Sequence, residues 1–238
     1  MAKKIFTFLG GTLLLILVGL ATLYLLFDET LPTATTDGPT PDALVEQLYA
    51  AVDKPGWDTT RYVTWDFAGR HRFLWHKTVD SVRVVWDNVV VDLHTKTLTG
   101  TVREGGQLIT GARADELLAD AWSHFANDSF WLAAPYKVED PGTERATVRL
   151  DDGGYGLLVT YNSGGVTPGD SYLWEFGEDG LPRRWRMWTQ IIPVGGVAAT
   201  WEGYTTLPTG ARLATRHELP VFTLELEDVA GGMTRPSF

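Results

Sequence analysis

Hydrophobic and polar residues alternate through residues 61–86, RYVTWDFAGRHRFLWHKTVDSVRVVW, more regularly than anywhere else in the chain. A period of two, built from β-branched and aromatic residues, is typical of half-buried strands. Ala68-Gly69 lies at the first reversal of this pattern and Val79-Asp80 lies near the second. The segment is therefore predicted to form a meander of short antiparallel strands, one face of which is rich in aromatic rings.

Further strands are predicted along the rest of the chain, separated by turns rich in glycine, proline and aspartate. They cover residues 89–94, 98–103, 130–138, 145–150, 155–161, 171–176, 183–190, 197–204, 212–218 and 222–227. Two segments instead carry an apolar face at helical spacing. One is residues 41–53, which follow an N-cap threonine and a first-turn proline. The other is residues 112–125, a helix that we expect Asn127-Asp128 to end.

The balance of predicted elements indicates the fold. Strands that are adjacent in sequence pair locally, and antiparallel sheets wider than about ten strands curl or close. The prediction of eleven or twelve strands and two helices in residues 41–238 therefore favours a mainly β domain. We expect an unclosed antiparallel β-barrel, or half-barrel, whose concave face is covered by a helical lid. A two-sheet sandwich is the alternative.

Residues 5–27 contain no charged side chain, and a helix of that length spans roughly 34 Å, enough for the hydrocarbon core of a bilayer. Two lysines precede the segment and two acidic residues follow it. The positive-inside rule then predicts one transmembrane helix in the inner (cytoplasmic) membrane, with residues 1–4 as a cytoplasmic stub. Residues 28–40 read as a flexible tether to an extracytoplasmic domain. The alternative is a cleaved signal peptide, which would leave a periplasmic or secreted protein.

The net charge of −10 makes nucleic acid an improbable partner, because an acidic surface repels phosphate backbones. It also gives no attraction to anionic lipid headgroups. The chain contains no cysteine, which excludes disulfides, thiolate metal sites and a cysteine nucleophile.

Motifs for catalysis are not found in the sequence. The five histidines form no HExxH motif and there is no G-x-S-x-G motif, while none of the many carboxylates stands out as a general acid or base. We therefore predict a non-enzymatic protein without a metal site or cofactor. A hydrolase that uses Asp and His side chains brought together by the fold is the least favoured alternative.

The aromatic residues on predicted strands are the strongest functional signal. A buried tryptophan removes about 200 Å² from water, worth on the order of 5 kcal/mol, so these rings must be covered by core, helix, ligand or partner. A plain core is one interpretation. Because only two short helices are predicted to fill a wide sheet, we favour a cavity that binds a ligand. The predicted ligand-binding residues are Trp65, Phe67, Phe73, Trp75, Trp86, Tyr172, Trp174, Trp185 and Trp188.

This layout resembles the periplasmic lipoprotein-carrier superfamily, which includes the lipoprotein-sorting carrier, its outer-membrane receptor and the mycobacterial lipid-binding lipoproteins. The resemblance covers residues 41–227 and rests on the opening helix, the aromatic meander, the mid-chain helix and the following run of strands. It implies an unclosed β-barrel whose apolar hollow, lidded by helices, takes acyl chains. The chain departs from the family in its predicted membrane anchor, in the absence of a lipid-modified cysteine and in its ten tryptophans.

Taken together, the sequence predicts a membrane-anchored, extracytoplasmic, non-catalytic domain that binds a lipid, an acyl chain or a lipoprotein. The alternative is a structural or protein-interaction module of the cell envelope whose aromatic face is simply core. The two differ in whether the interior holds a cavity of roughly 300 Å³ or more.

Overall fold

The computed structural model describes residues 28–163 and 167–238. The predicted transmembrane segment, residues 5–27, lies outside the described residues. Within the part of the chain that is described, none of the helices is long and apolar enough to cross a membrane.

Three α-helices and fifteen strands make up the described chain. The helices are α1 (Pro41–Val52), α2 (Lys54–Thr59) and α3 (Ala112–Ala133). The strands are β1 (Tyr62–Phe67), β2 (His71–His76), β3 (Ser81–Trp86), β4 (Val89–His94), β5 (Thr99–Glu104), β6 (Gln107–Ile109), β7 (Thr143–Arg149), β8 (Tyr155–Tyr161), β9 (Asp170–Phe176), β10 (Pro182–Trp188), β11 (Val197–Thr200), β12 (Thr205–Thr206), β13 (Arg212–Leu213), β14 (Arg216–Glu218) and β15 (Thr223–Gly232).

The strands form two main antiparallel sheets that meet at one edge. The first sheet has eight strands in the order β14-β15-β1-β2-β3-β4-β5-β6, and the second has five in the order β11-β10-β9-β8-β7. An antiparallel bridge between Glu202, two residues after β11, and Arg216 of β14 links the edges of the two sheets. The outer strands β6 and β7 do not pair with each other, so the combined sheet stays open. The predicted mainly β fold with an unclosed antiparallel sheet is therefore confirmed.

Helix α3 differs from its prediction in length. It runs to Ala133, whereas we expected it to stop at Asn127-Asp128 and a strand to begin at residue 130. The cause is tertiary: Asp128 is buried and bonded to a histidine of β2, and Leu132 is buried in the core, so packing overrides the low helix propensity of Asn and Asp. Pro135, just past the C-terminus, belongs to the 3₁₀ turn that follows.

The opening helix begins as predicted, but the chain then forms an additional short helix. The Thr40 side chain accepts a hydrogen bond from the Ala43 N–H, and Pro41 occupies the first turn. Asp53 ends α1 in the left-handed conformation, at φ 57°, and its carboxylate accepts from the Gly56 N–H to begin α2. Pro55 and Gly56, which follow the predicted helix of residues 41–53, thus lie inside a second helix.

Residues 28–40, predicted as a tether, run beside the second sheet and are bonded to it. Glu29 bonds through its backbone to Gly195 and accepts from the indole of Trp188, and the Thr35 N–H donates to the Thr147 carbonyl. Trp188 in turn packs against a small apolar cluster formed by Val148, Leu158 and Leu173. This cluster is separate from the main core, which lies between α3 and the inner faces of both sheets.

Candidate ligand-binding cleft

A cleft of about 270 Å³ lies between α3 and the ends of β8 and β9. Its lining combines aromatic side chains from the helix and the second sheet with polar residues from the segments that follow α3 and β8. The lining residues are Trp122, Phe125, Ala126, Asn127, Ser129, Phe130, Lys137, Asp140, Pro141, Tyr161, Ser163, Thr167, Asp170 and Tyr172. We call this feature the cleft.

Aromatic packing holds the apolar wall of the cleft in place. The Phe130 ring lies 5.2 Å from Tyr161 and 5.0 Å from Tyr172, between centroids, so helix and sheet meet ring to ring. Phe125 is fixed from behind by Trp75 of the first sheet, at 5.2 Å. These separations fall in the range of favourable aromatic pairs. Ala126 lies between Phe125 and Phe130 in the sequence of α3. Its small side chain leaves space that the larger lining side chains surround.

Most of the polar groups at the cleft are already satisfied. The carboxylate of Asp170 accepts hydrogen bonds from the Thr167 hydroxyl at 2.5 Å and from the Gln190 N–H at 2.8 Å. Lys137 lies 3.7 Å from Asp140, a loose ion pair at the surface. Asp170 therefore fixes the loop geometry, whereas Lys137 is the cation available to a ligand among the lining residues.

The hydroxyl of Tyr161 is the exception. It is buried at the cleft and has no hydrogen-bond partner among the described residues. Burial raises the pKa of Tyr161 well above its ordinary value, so the group stays neutral and can both donate and accept. An unpaired buried hydroxyl costs roughly 1–3 kcal/mol, a cost that a polar atom of a bound molecule would remove.

Only one of the nine predicted ligand-binding residues, Tyr172, lines the cleft. Trp65, Phe73, Trp174 and Trp185 are at most 1% exposed and lie in the core. Phe67 is also buried there. Trp75 and Trp86 are half-buried and pack against this core, while Trp188 lies apart and donates its indole N–H to the backbone of Glu29.

The buried rings of the second sheet pack against one another. Trp174, Trp185 and Trp201, which we call the tryptophan cluster, have ring centroids 4.9–5.0 Å apart. Trp131 of α3 joins Trp185 at 5.0 Å, and His217 lies 4.5 Å from Trp201. The alternative that sequence analysis left open, an aromatic face that is simply core, therefore describes this part of the molecule.

The cleft residues on α3 and after it were missed by sequence reasoning. Phe130 falls in a predicted strand, because Asn127-Asp128 is a typical helix stop. The signal that could have found it is the apolar stripe of α3, Leu117, Ala121, Phe125 and Leu132, which continues past that stop at helical spacing. Tyr161 was placed on a predicted strand but not in the candidate set, and no local pattern marks its hydroxyl as unpaired.

A buried histidine–aspartate pair joins α3 to the first sheet. His71 Nδ1 lies 2.7 Å from Asp128 Oδ2, and the ring of His124 stacks on His71 with centroids 3.9 Å apart. Burial, followed by the neighbouring His71, lowers the pKa of His124. Within residues 28–163 and 167–238, no serine or threonine hydroxyl hydrogen-bonds to either ring, and no group of three or more His, Asp or Glu side chains could hold a metal. The pair holds the helix to the sheet.

A second hollow, of about 450 Å³, lies at the C-terminal residues 236–238. Its walls come from β1, β2 and β15, and Arg72 lies over the Phe238 ring at 4.9 Å. Its lining includes the side chains of Asp66 and Asp228 and few aromatic rings. An acyl chain would find little apolar surface there.

Comparison with known proteins finds similarity of structure only. No family model matches the chain, and no curated protein matches it. Similar solved structures include a DUF1329 family protein from Desulfovibrio piger, 13% identical over 79% of this chain and 92% of that chain, with a TM-score of 0.38. Another is a LolA superfamily protein from Nitrosomonas europaea, 11% identical over 84% of this chain and 96% of that chain, with a TM-score of 0.39.

Proposed function

We propose that this protein binds one acyl chain of a lipid or lipoprotein in the cleft, without catalysing a reaction on it. The observation that carries the proposal is the composition of the cleft: a wall of packed aromatic rings, a small residue in its lining and one unpaired buried hydroxyl. At about 270 Å³ the cleft is slightly smaller than the range of roughly 300–1,000 Å³ usual for small-molecule sites, so it suits a single acyl chain better than a whole lipid.

The arrangement gives the two ends of such a ligand different surroundings. Phe125, Phe130 and Tyr172 offer apolar surface to a methylene chain, and each buried CH₂ contributes about 0.8 kcal/mol. Lys137 offers a charge to an ester or carboxylate group, and the buried Tyr161 hydroxyl would add a hydrogen bond once the side chains that cover it move. Binding that rests on apolar contact with a few polar groups is the usual character of a ligand site.

The location that we propose follows from the sequence alone. Residues 5–27 would anchor the chain in the inner membrane by a single pass, with residues 28–238 on the extracytoplasmic side. A tethered domain can bind and present an acyl chain at that membrane surface.

Photo-crosslinking tests the proposal in the full chain. Membranes carrying the protein are given a fatty acid with a diazirine near its methyl end, irradiated, and digested for mass spectrometry. We expect adducts on the α3 segment 122–130 and on residues 161–172. Adducts confined to residues 5–27, which contact lipid in any case if they cross the bilayer, would overturn the proposal.

Two substitutions on α3 sharpen this test. Ala126→Trp fills the cleft and is expected to reduce the α3 adduct severalfold. Ala119→Trp places the same side chain at an exposed position of the same helix and leaves the adduct unchanged. Equal labelling of both variants would show that the probe does not occupy the cleft.

A second candidate function is a structural or interaction module of the cell envelope. The interlocked rings of the tryptophan cluster favour it, because they fill the interior that a large lipid cavity would need. This candidate predicts no adduct in the cleft and the same stability with and without fatty acid.

A further inference from the structure

Two loop tips at one end of the molecule expose large apolar side chains. The β10–β11 loop, residues 189–196, presents Ile191 at 71% exposure. The turn between β14 and β15, residues 219–222, presents Val221 at 88% and Phe222 at 55%. We call Ile191, Val221 and Phe222 the apolar rim.

Backbone pairing places these two tips side by side. Met187 pairs with Val197 across the β10–β11 loop, and the antiparallel bridge of Glu202 with Arg216 sets β14 beside β11. The Glu218 N–H donates to the Thr200 hydroxyl at 2.9 Å, so the chain leaving β14 passes β11 on its way towards the β10–β11 loop. The three exposed side chains therefore share one end of adjoining strands.

At each tip, one apolar residue faces the core and another faces solvent. Ile192 and Leu219 pack against the core, whereas their neighbours Ile191 and Val221 point into solvent. The turn is held closed by the Leu219 N–H, which donates to the Phe222 carbonyl at 2.9 Å. The outward residues are thus displayed by ordered turns, and they are not needed to fill the interior.

The start of the described chain is fixed at the same end. The backbone of Glu29 bonds to the Gly195 carbonyl at 3.1 Å, the Asp28 carboxylate accepts from the Gly195 N–H at 2.8 Å, and Arg186 pairs with the Glu29 carboxylate at 2.9 Å. The apolar segment 5–27 ends one residue before Asp28. The point in the chain where that segment ends therefore lies next to the β10–β11 loop, and so does the environment around that point.

We propose that the apolar rim inserts into the lipid surface from which residues 5–27 emerge, and so holds the domain against the membrane in one orientation. The inference rests on the predicted membrane segment and not on acyl-chain binding. Asp170, at the cleft, hydrogen-bonds to Gln190 at the base of the same loop, so the cleft would open near the membrane. Near the turn, Glu202, Glu218 and Glu225 all pair with the single cation Arg216, so the local charge is negative and zwitterionic lipid suits the rim better than anionic lipid.

Single labels test this arrangement, because the chain has no cysteine of its own. The full chain is reconstituted into phosphatidylcholine vesicles as Ile191→Cys, Val221→Cys or the control Val79→Cys, each labelled with an environment-sensitive fluorophore. Val79 is 50% exposed and lies after β2, at the opposite end of the strands. We expect blue-shifted emission and severalfold stronger quenching by a spin-labelled lipid at positions 191 and 221 than at position 79.

Other outcomes would overturn the proposal. Labels at 191 and 221 that behave like the label at 79, or a protein that does not sediment with the vesicles, would show that the rim does not enter lipid. If the labels at 191 and 221 are protected from aqueous iodide but are not quenched by the spin-labelled lipid, and this protection persists in detergent, the rim contacts a second copy of the chain. Stronger lipid quenching in anionic than in phosphatidylcholine vesicles would contradict the inference that the acidic residues near the rim disfavour anionic lipid. Loss of the acyl adduct in the cleft would leave these readings unchanged, so the two proposals fail separately.

Discussion

His71 and Asp128 are hydrogen-bonded at 2.7 Å, although they are 57 residues apart in sequence. The Asp128 side chain is 2% exposed and that of His71 18%, and the second carboxylate oxygen accepts from the Asn127 amide at 2.8 Å. The bond ties the C-terminal third of α3 to the start of β2. It therefore fixes how α3 crosses the inner face of the first sheet, and with it the position of Phe125 and Ala126 in the cleft.

Asp128→Ala is expected to destabilise the protein by about 1–3 kcal/mol, because it leaves the His71 nitrogen without its partner and empties a buried polar site. Urea denaturation, followed by circular dichroism, measures this loss. The control is Asp92→Ala, which breaks the 2.7 Å pair with Arg83 at the surface, where both side chains are more than a third exposed. A surface pair contributes about 0–1 kcal/mol, so equal losses in the two variants would contradict a special role for Asp128.

The tryptophan cluster provides a second prediction. Trp185 is fully buried against Trp174 and Trp201, so Trp185→Ala is expected to cost roughly 3–5 kcal/mol. Trp185→Phe keeps most of the ring contact and removes an indole N–H that has no partner among the described residues, so its cost is much smaller. Trp86→Ala, at a half-buried ring, serves as the control. If Trp185→Ala lowers the free energy of unfolding no more than Trp86→Ala does, the tryptophan cluster is not a main contributor to the stability of the core.

The strand pattern could be predicted because alternation is local. The meander of residues 62–86 appears as β1, β2 and β3, and the many short strands correctly indicate a mainly β domain. The extent of α3 could not be predicted, because residues that favour a helix stop are held in the helix by long-range contacts such as that of Asp128 with His71.

The aromatic residues show what sequence reasoning about the site could not decide. Alternation correctly places Trp65, Trp174 and Trp185 on the inner face of the sheets, but it does not say whether facing rings leave room between them. That depends on which rings the fold brings together, and Trp131 of the extended α3 fills space that a shorter helix would have left open. Tyr172 lines the cleft together with Phe130 of α3, whose ring centroid lies 5.0 Å away, and with the small Ala126.

Acidification is expected to lower stability through His217. Burial lowers the pKa of His217 to about 4, against about 6.5 in the unfolded chain, because the ring lies among Trp131 and Trp201. A depressed folded pKa means that the unfolded chain takes up the proton first. The stability that His217 contributes is therefore complete above pH 6.5 and is lost as the pH falls towards 4, by about 3 kcal/mol in total.

The measurement is the free energy of unfolding between pH 7.5 and 4.5, by urea titration, for the native chain and for His217→Gln. The amide of Gln can donate to the Thr200 carbonyl, as His217 Nδ1 does at 2.9 Å, without titrating. The native chain should lose stability more steeply than the variant over this range. His124, whose pKa burial also lowers, acts in the same direction and is present in both chains. Parallel pH profiles would show that His217 is not the group responsible.

Tyr161→Phe distinguishes the effect of the unpaired hydroxyl on protein stability from its effect on ligand binding. The oxygen is buried at the cleft without a partner among the described residues, so its removal is expected to leave the ligand-free protein as stable as before or about 1 kcal/mol more stable. If the hydroxyl binds the polar end of an acyl ligand, the same variant loses affinity for fatty acid severalfold. Thr167→Val, also at the cleft, instead removes a donor to Asp170 and should lower the stability of the ligand-free chain. Thermal unfolding with and without fatty acid measures both quantities, and a Tyr161→Phe variant that keeps its full ligand-induced stabilisation would remove the hydroxyl from the binding site.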